Sequence, residues 1–228
     1  SVNGTIYVRG NAADYDRWAA LGNHGWSAKD VMPLFEALEC CDNKGVGRGQ
    51  QGALHVHAKT DAEVHPVSRS FIKAACQSGL PFNMDYNGQQ QDGIAYLQVT
   101  QKRGIRSSSS VAFLKPAIQR KNLTVMTNVM VHKVLIENHH AVGIRFEKEG
   151  VVGNIRAKDV IVCAGTINSP KLLMLSGIGE SKALTDLGIE PIVDRPAVGK
   201  NLREHPLVKL VYRVKTPTYN TKPYTLSG

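Results

Sequence analysis

Residues 160–179 carry, in the right order, the residue types from which a nucleotide-binding turn is built. The apolar run 160–163 is typical of a strand that is buried on both faces. Ala164 and Gly165 follow it, and such small residues let another group approach the backbone closely. A helix then starts, with side-chain oxygens for its first N–H groups on Thr166, Asn168 and Ser169. Because a helix N-terminus attracts anionic groups, this stretch predicts a nucleotide ligand beyond the carboxyl end of the strand.

The helix after this turn is predicted from Pro170 onward, because proline suits a first helical turn. Four apolar residues follow at 172–175. Gly177 then offers the left-handed conformation that ends many helices.

A glycine motif of the dinucleotide-binding type also occurs, as Gly47-Arg48-Gly49-Gln50-Gln51-Gly52. Such a motif binds a pyrophosphate only where a strand precedes it and a helix follows it. Here a helical pattern precedes it and the strand-like residues 53–57 follow. We therefore interpret it as a flexible loop and not as a phosphate site.

Eight histidines are present. His55 and His57 alternate on one face of a predicted strand and could together hold a metal ion, but no third ligand is evident. An ordinary surface strand is the favoured interpretation, and we predict no metal site.

Two motifs resemble the signatures of the glucose–methanol–choline (GMC) oxidoreductases, flavoenzymes that oxidise alcohols with FAD. Residues 165–179, with the pattern GTxxSPxLLxxSGIG, resemble the second signature of that family. Residues 1–10, SVNGTIYVRG, resemble the latter part of the first signature, and the likeness continues to residues 198–202. It therefore covers almost the whole chain.

The resemblance implies FAD as the cofactor. It places Asn3 beside the flavin and the pyrophosphate, and it brings the backbone of Gly4 and Thr5 close to the isoalloxazine edge. Val131 is similar to a family position whose backbone N–H and C=O meet the adenine. Together with the small residues of the turn, the predicted cofactor-binding set is Asn3, Gly4, Thr5, Val131, Ala164 and Gly165.

Some members of the family bond the flavin to a histidine just before the signature asparagine. That position here is Val2, so we expect FAD to be held non-covalently. Arg9 and Arg106 could approach the phosphates, although surface salt bridges are the favoured interpretation of both.

The family's N-terminal βαβ unit and its C-terminal catalytic segment have no counterpart in this sequence. We therefore expect a middle section of a longer polypeptide, inactive by itself. The resemblance implies that the family's catalytic histidine pair lies beyond Gly228, so we assign no catalytic residue in this chain. His205 is a tempting candidate for the base, but the matching family segment leads into the substrate domain. A packing or hydrogen-bonding role is the favoured interpretation of this histidine.

The implied reaction is oxidation of an alcohol to an aldehyde by hydride transfer to flavin N5, with oxygen or a quinone as the acceptor. Two alternatives stay open. Hydroxynitrile lyases share the fold and keep FAD without using its redox chemistry. A basic binding module without any chemistry is the second alternative.

The sequence most resembles the choline-dehydrogenase and alkanol-dehydrogenase branch of the family. In choline-oxidising relatives a carboxylate falls two residues after the histidine of the Asn-Leu-x-x-His segment. That position here is Leu207, which offers no charge to a quaternary ammonium group. We therefore expect an uncharged primary or aliphatic alcohol as the better substrate.

The composition is that of an ordinary globular protein, with 42% hydrophobic and 21% charged residues. The net charge of +9 is spread over scattered basic residues without a nucleic-acid motif, so nucleic-acid binding is not expected. No apolar run reaches the roughly 20 residues that span a bilayer. All four cysteines are interpreted as buried thiols, which favours a cytoplasmic or membrane-peripheral location.

The predicted elements place these motifs in a fold of the α/β class with α+β character. Three helices are expected first, starting after Asn11, after Ser27 and near Pro66. Residues 94–100 are a predicted strand, and residues 107–114 begin a short helix. Successive strands are predicted at residues 123–126, 131–136, 141–146, 151–155 and 160–163. Further strands are expected at 189–193 and 208–214.

With the resemblance, this pattern implies part of a GMC-type FAD-binding domain with a β-meander. Residues 1–200 would form that partial domain, with an inserted helical and loop region at residues 11–120, and residues 201–228 would start a substrate-binding domain. A sheet of this type needs a central parallel strand that the sequence does not supply. We therefore predict exposed strand edges or a bare apolar face.

Overall fold

The computed structural model describes residues 4–218. They fall into two compact units, one built from residues 4–124 with 212–218 and the other from Val125–Val211. The mixed helix and strand architecture that the sequence predicts is confirmed.

Three helices dominate the first unit: α1 (Ala12–Ala20), α2 (Ala28–Leu38) and α3 (Pro66–Gln77). The predicted capping residues are confirmed for the first two. Asn11 Oδ1 accepts the N–H of Ala13 at 2.9 Å, and Ser27 forms a capping box with Asp30. Aromatic rings of α1 and α2 meet edge to face, as Tyr15 does with Phe35.

Short strands complete the first unit. β1 (Glu39–Cys41) pairs in parallel with β2 (Leu54–Ala58), which pairs antiparallel with β3 (Gln98–Val99). A small hairpin follows, made of β4 (Gln101–Lys102) and β5 (Ile105–Arg106). A π-helical turn at Ser110–Leu114 continues into α4 (Lys115–Ala117). The buried side chains at the centre of this unit are Tyr7, Cys41 and Val56.

The second unit contains an antiparallel meander of three strands, β6 (Val129–Glu137), β7 (His140–Lys148) and β8 (Val151–Arg156). Both connections are two-residue turns in which each residue has a positive φ, at Asn138-His139 and at Glu149-Gly150. Turns of this kind match the right-handed twist of the strands they join. The predicted β-meander is therefore confirmed.

Two helices follow the meander, α5 (Gly165–Leu175) and α6 (Ser181–Asp186). Between and after them, β9 (Ile178–Gly179) pairs in parallel with β10 (Val193–Asp194). Ser176 is the C-cap of α5, and Gly177 adopts the predicted left-handed conformation with φ +83°. Among residues 4–218, no helix is both long and apolar enough to cross a membrane.

Several predicted strands are wrong. Residues 123–126, 160–163 and 208–214 form no strand, and the strand expected at 94–100 is confined to β3. The error at 160–163 has a physical reason: an apolar extended segment becomes a strand only beside a hydrogen-bonding neighbour, and these residues have none within the described chain. The predicted helix start at Pro170 is also wrong, because α5 begins at Gly165 and the proline lies inside the helix.

Fewer side chains are buried than the sequence predicts. In α2, Val31 is buried but Leu34 is exposed, and α3 contains no fully buried residue. Of the cysteines, Cys41 is buried, Cys40 and Cys76 are half-buried, and Cys163 is exposed. Large apolar side chains such as Ile161, which is 85% exposed, face solvent instead. The predicted bare apolar surface is confirmed.

Candidate cofactor site

The second unit contains a cavity of about 430 Å³ beside residues 159–164. One wall is the meander, through Val131, Gly143 and Ile155. The opposite wall is the extended segment 159–164, with Leu172 of α5. Val131 and Ala164, which the sequence analysis selected for separate reasons, therefore line one space. The lining is largely apolar, which suits a flat aromatic group.

Hydrogen bonds from one side chain hold this cavity together. Ser176 Oγ accepts the N–H of Val134 at 2.8 Å and donates to the carbonyl of Leu172 at 2.6 Å. Because Val134 belongs to β6 and Leu172 to α5, the serine ties the two elements to each other. It is buried, so water does not compete for these bonds.

Gly165 starts α5 beside this cavity. It has φ +87°, and a Cβ built on it would meet no atom within 4 Å. The N–H groups of a first helical turn have no partner within the helix and carry partial positive charge. The preceding N–H, on Ala164, is bonded to Ser169 Oγ at 3.1 Å. The helix start is therefore open to a polar or anionic group, as an FAD site requires.

Val131 lies at an irregular point of β6. It pairs with Phe146, and the register then shifts before Lys133 pairs with Arg145. A bulge of this kind leaves its extra residue outside the ladder. β6 is also an edge strand of the meander. The residue left out of the ladder is His132, next to Val131. The outer side of β6 faces no further strand of the meander, although the N–H of Val134 is bonded to Ser176 Oγ.

The remaining predicted residues belong to the first unit. Asn3, like Val2, lies outside the described residues. Gly4 is exposed and Thr5 is buried. Thr5 has φ +68°, a left-handed conformation that is unusual for a β-branched residue. Its hydroxyl donates to the carbonyl of Gly4 at 2.5 Å.

Several hydrogen bonds hold the main chain from Thr5 to Arg9. The carbonyl of Thr5 accepts the N–H of Thr100 at 2.8 Å, and the N–H of Tyr7 donates to the carbonyl of Gln98 at 2.8 Å. The Asn87 side chain donates to the carbonyl of Tyr7 at 3.0 Å and accepts the N–H of Arg9 at 2.7 Å. Residues 5–9 are consequently fixed to the loop that contains Asn87 and to β3.

A buried ionic cluster lies behind this segment. Glu39, at the start of β1, accepts from Arg9 Nη2 at 2.5 Å and from Arg48 Nε at 2.8 Å through the same oxygen, Oε1. It also accepts the N–H of Gly49 at 2.9 Å. Arg48 reaches Asp85 Oδ1 at 2.6 Å and Gln98 Oε1 at 2.9 Å. We call Arg9, Glu39, Arg48 and Asp85 the buried charge cluster.

The surroundings shift several pKa values. Burial raises the pKa of Tyr7 to about 12, so its phenol stays protonated. Burial also raises the pKa of the Cys41 thiol, whose sulfur accepts from Arg48 Nη2 at 3.0 Å. For Arg48, burial lowers the pKa, but the hydrogen bonds to Glu39 and the neighbouring negative charges outweigh it and raise the pKa overall. The Cys41 sulfur is therefore a thiol and the guanidinium is charged.

The glycine motif, Arg9 and His57 each had two interpretations from sequence. The glycine motif at residues 47–52 is a loop, as predicted, but the buried Arg48 anchors it. Arg9 is buried in an ion pair instead of lying on the surface. His57 contacts Asp42 and Glu63, yet no three potential ligands converge as a metal site within residues 4–218.

The predictions about catalytic histidines concern the end of the chain. His205 is exposed, and its N–H donates to the neighbouring Glu204 carboxylate at 2.8 Å. Gly228, beyond which the resemblance places the family's histidine pair, lies outside the described residues, which end at Thr218. The structure therefore does not test the position of that pair, and its location beyond Gly228 stays a prediction.

Sequence reasoning missed the residues that hold the first unit together, namely Glu39, Arg48, Asp85, Asn87 and Gln98. One signal was present: Glu39 directly follows an amphipathic helix, in a short segment with two cysteines. A charged residue within an apolar segment is buried only when a partner is available. The partner could not be inferred, because Arg48 lies in a loop with no periodic pattern.

Comparisons with known proteins agree with the resemblance. A family model described as GMC oxidoreductase matches residues 1–207. An oxygen-dependent choline dehydrogenase of Sinorhizobium fredii is 44% identical over 207 residues, which are 90% of this chain and 37% of that protein. The chain spans well under half the length of the curated relatives it matches.

Solved structures show the same fold. Pyridoxine 4-oxidase from Mesorbium loti matches with a TM-score of 0.79 at 30% identity, covering 86% of this chain and 39% of that one. An FAD-dependent oxidoreductase from Chaetomium thermophilum matches with a TM-score of 0.79 at 28% identity, covering 86% of this chain and 36% of that one. With a family match that extends over most of its length, this chain belongs to the GMC oxidoreductase family.

Proposed function

We propose that this chain supplies the cofactor-holding part of an FAD-dependent oxidoreductase that acts on the CH–OH group of an alcohol. The observation that carries the proposal is the cavity lined by Val131 and Ala164 next to the open start of α5. Membership of the GMC family supports the flavin, as does the FAD-dependent oxidoreductase among its structural relatives.

FAD, when bound, supplies a ring that accepts two electrons from the alcohol as a hydride. The protein's own residues bind and orient it. The main chain at Val131 meets the adenine edge, and the first N–H groups of α5 at Gly165 meet a polar group of the cofactor. Asn3, Gly4 and Thr5 are the residues that the family resemblance assigns to the flavin ring.

The substrate in this proposal is an uncharged primary or aliphatic alcohol, which is oxidised to an aldehyde. Leu207 is 88% exposed and apolar at the position where a carboxylate would favour a quaternary ammonium. Loss of one buried charge partner costs about 2–5 kcal/mol of binding, which is roughly thirty-fold or more in affinity, and this figure applies where the whole protein encloses the site. Choline, the substrate named for the Sinorhizobium fredii relative, is therefore the informative competitor.

Oxygen or a quinone as the acceptor, non-covalent FAD and a cytoplasmic or membrane-peripheral location belong to the same proposal. None of the eight histidines in this sequence is assigned as the base. The domain boundary at residue 200 also stays a prediction.

The test uses the purified full-length protein. We expect a yellow protein whose flavin absorbance bleaches when a linear alcohol is added without oxygen, and whose flavin separates from the polypeptide on acid precipitation. A colourless protein would contradict the proposal. The proposal would also be contradicted if no alcohol reduced the flavin and the protein cleaved a hydroxynitrile.

Substrate preference is tested by kcat/KM for choline and for a linear alcohol of similar size. We expect the linear alcohol to be preferred. Leu207→Asp should raise the relative value for choline by about tenfold or more, whereas the matched neutral variant Leu207→Asn should not. A clear preference of the unmodified enzyme for choline would refute the substrate assignment.

A further inference from the structure

Thr5 holds a conformation that its side chain opposes. Its φ of +68° lies in the left-handed region, where a branched Cβ crowds the backbone. Residues persist in such conformations only where the surroundings impose them, and they cluster at functional sites. At Thr5 the surroundings are known in detail, so the source of the constraint can be traced.

Hydrogen bonds connect the segment after Thr5 to the buried charge cluster. Residues 5–9 are bonded to Thr100, Gln98 and Asn87 through main-chain atoms. The segment ends at Arg9, whose guanidinium is fixed by Glu39 and by the carbonyl of Gly47, the latter at 2.8 Å. These contacts fix the main chain on the C-terminal side of Thr5.

Glu39 is the member that connects these contacts. One of its oxygens binds Arg9, which belongs to the segment itself, and the carboxylate also binds Arg48. Arg48 in turn donates to Gln98 Oε1, and the carbonyl of Gln98 receives the N–H of Tyr7. Two routes therefore run from Glu39 to the segment after Thr5, and both depend on its negative charge.

We propose that Glu39 is a positioning residue for the flavin: through Arg9 and Arg48 it holds residues 5–9 so that the strained Gly4–Thr5 backbone stays turned toward the ring. This inference rests on the proposed function, in which Gly4 and Thr5 face the flavin. Backbone N–H groups aimed at a flavin ring stabilise the negative charge it gains on reduction. Loss of their alignment should make the flavin harder to reduce without changing how the alcohol binds.

The experiment compares three variants of the full-length, FAD-loaded enzyme. Glu39→Gln removes the charge with little change of shape, and Arg9→Lys keeps the charge but replaces the guanidinium that binds both Glu39 and the carbonyl of Gly47. Glu137→Gln is the matched control, because Glu137 forms an exposed ion pair with Arg156 in the second unit. The measurements are the midpoint potential of bound FAD, kcat per bound flavin, KM for the alcohol and the thermal unfolding midpoint.

We expect Glu39→Gln to make the midpoint potential more negative and to lower kcat per bound flavin by about tenfold, with KM unchanged. Arg9→Lys should shift the potential and kcat in the same direction, because one of the two connections between Glu39 and residues 5–9 is weakened. Glu137→Gln should leave all four measurements unchanged.

The proposal is overturned if Glu39→Gln lowers only the unfolding midpoint while the potential and kcat stay at wild-type values. If Glu39→Gln fails to fold, Arg9→Lys decides: a wild-type potential and kcat in that variant overturn the inference. A wild-type protein that binds no FAD would instead refute the proposed function, so the two failures are distinguishable.

Discussion

Arg48 and Glu39 form an ion pair from which solvent is excluded. Nε lies 2.8 Å from Oε1, and neither side chain is exposed. Arg9 and Asp85 complete a cluster of two cations and two carboxylates in the first unit. Charges of opposite sign are balanced within it, so removal of any one member leaves a buried charge without its partner.

Arg48→Met should strongly destabilise the protein, because Glu39 and Asp85 lose the same partner at once. We expect the free energy of unfolding to fall by about 3–5 kcal/mol. The measurement is the midpoint of thermal or urea unfolding of the purified full-length protein. Arg156→Met, which breaks an exposed pair with Glu137, is the control and should leave the midpoint unchanged. Equal midpoints for the two variants would show that the buried pair contributes no more than the exposed one.

Gly49→Ala and Gly47→Ala should separate packing from backbone strain within one loop. A Cβ on Gly49 would lie 1.8 Å from the carbonyl oxygen of Glu36, whereas one on Gly47 would meet nothing within 4 Å. We expect a loss of about 3 kcal/mol for Gly49→Ala, because the end of α2 must move. For Gly47→Ala, at φ +73°, we expect the free energy of unfolding to fall by about 1 kcal/mol. A larger loss at Gly47, read from the unfolding midpoints, would contradict this order.

His57 should make stability depend on pH. A hydrogen bond to Asp42 and, after the opposing effect of burial, one to Glu63 raise its pKa above the ordinary value of 6.5. Hydrogen bonds from Thr60, reinforced by His57, lower the pKa of Glu63 to about 2, so this carboxylate stays charged at neutral pH. Charged His57 therefore stabilises the folded state fully below the unfolded-state pKa, and this contribution disappears as pH rises through the raised folded-state pKa.

His57→Gln removes this contribution. We expect the variant to be less stable than wild type at pH 5.5–6.0, by less than about 1 kcal/mol because the pair is partly exposed. At pH 9 the variant and the wild type should be equally stable. The neighbouring His55, whose pKa burial and Lys102 lower, is the control position: His55→Gln should not reproduce the pattern. A gap between wild type and His57→Gln that is constant across this pH range would refute the assignment.

Gly165→Ala should weaken FAD binding in the proposed site. Gly165 and Gly188 both have positive φ values and open space around them, so alanine introduces similar backbone strain at each. Only Gly165 lies at the start of α5 beside the cavity. We expect the FAD dissociation constant to rise about tenfold for Gly165→Ala and to stay unchanged for Gly188→Ala. Equal dissociation constants for the two variants would exclude contact between the cofactor and this turn.

Local features were predictable from sequence. The caps at Asn11 and Ser27 and the left-handed Gly177 each depend on residues that are close in the chain. The family resemblance was equally accessible, because fixed residues at fixed spacings carry it. The convergence of Val131 and Ala164 on one cavity agrees with that resemblance.

Non-local features were not predictable. The strand expected at residues 160–163 needs a neighbour that the pattern cannot supply. The burial of Cys163 was inferred from its place at the end of that strand, without knowing what covers it. Glu39 and Arg48 are an ion pair only because the loop at residues 45–52 folds back on the end of α2. Such pairings depend on tertiary contacts, so neither residue alone identifies them.

The segment at residues 160–163, which pairs with no strand in the described part of the chain, has a consequence for handling the protein. It presents open main-chain donors and acceptors together with exposed Ile161, and such segments pair readily with a second copy of themselves. The exposed Cys163 thiol at its end can then lock two copies together in air. Solubility of residues 1–228 by themselves should therefore be limited by self-association and oxidative crosslinking, and a reducing buffer should prevent only the second.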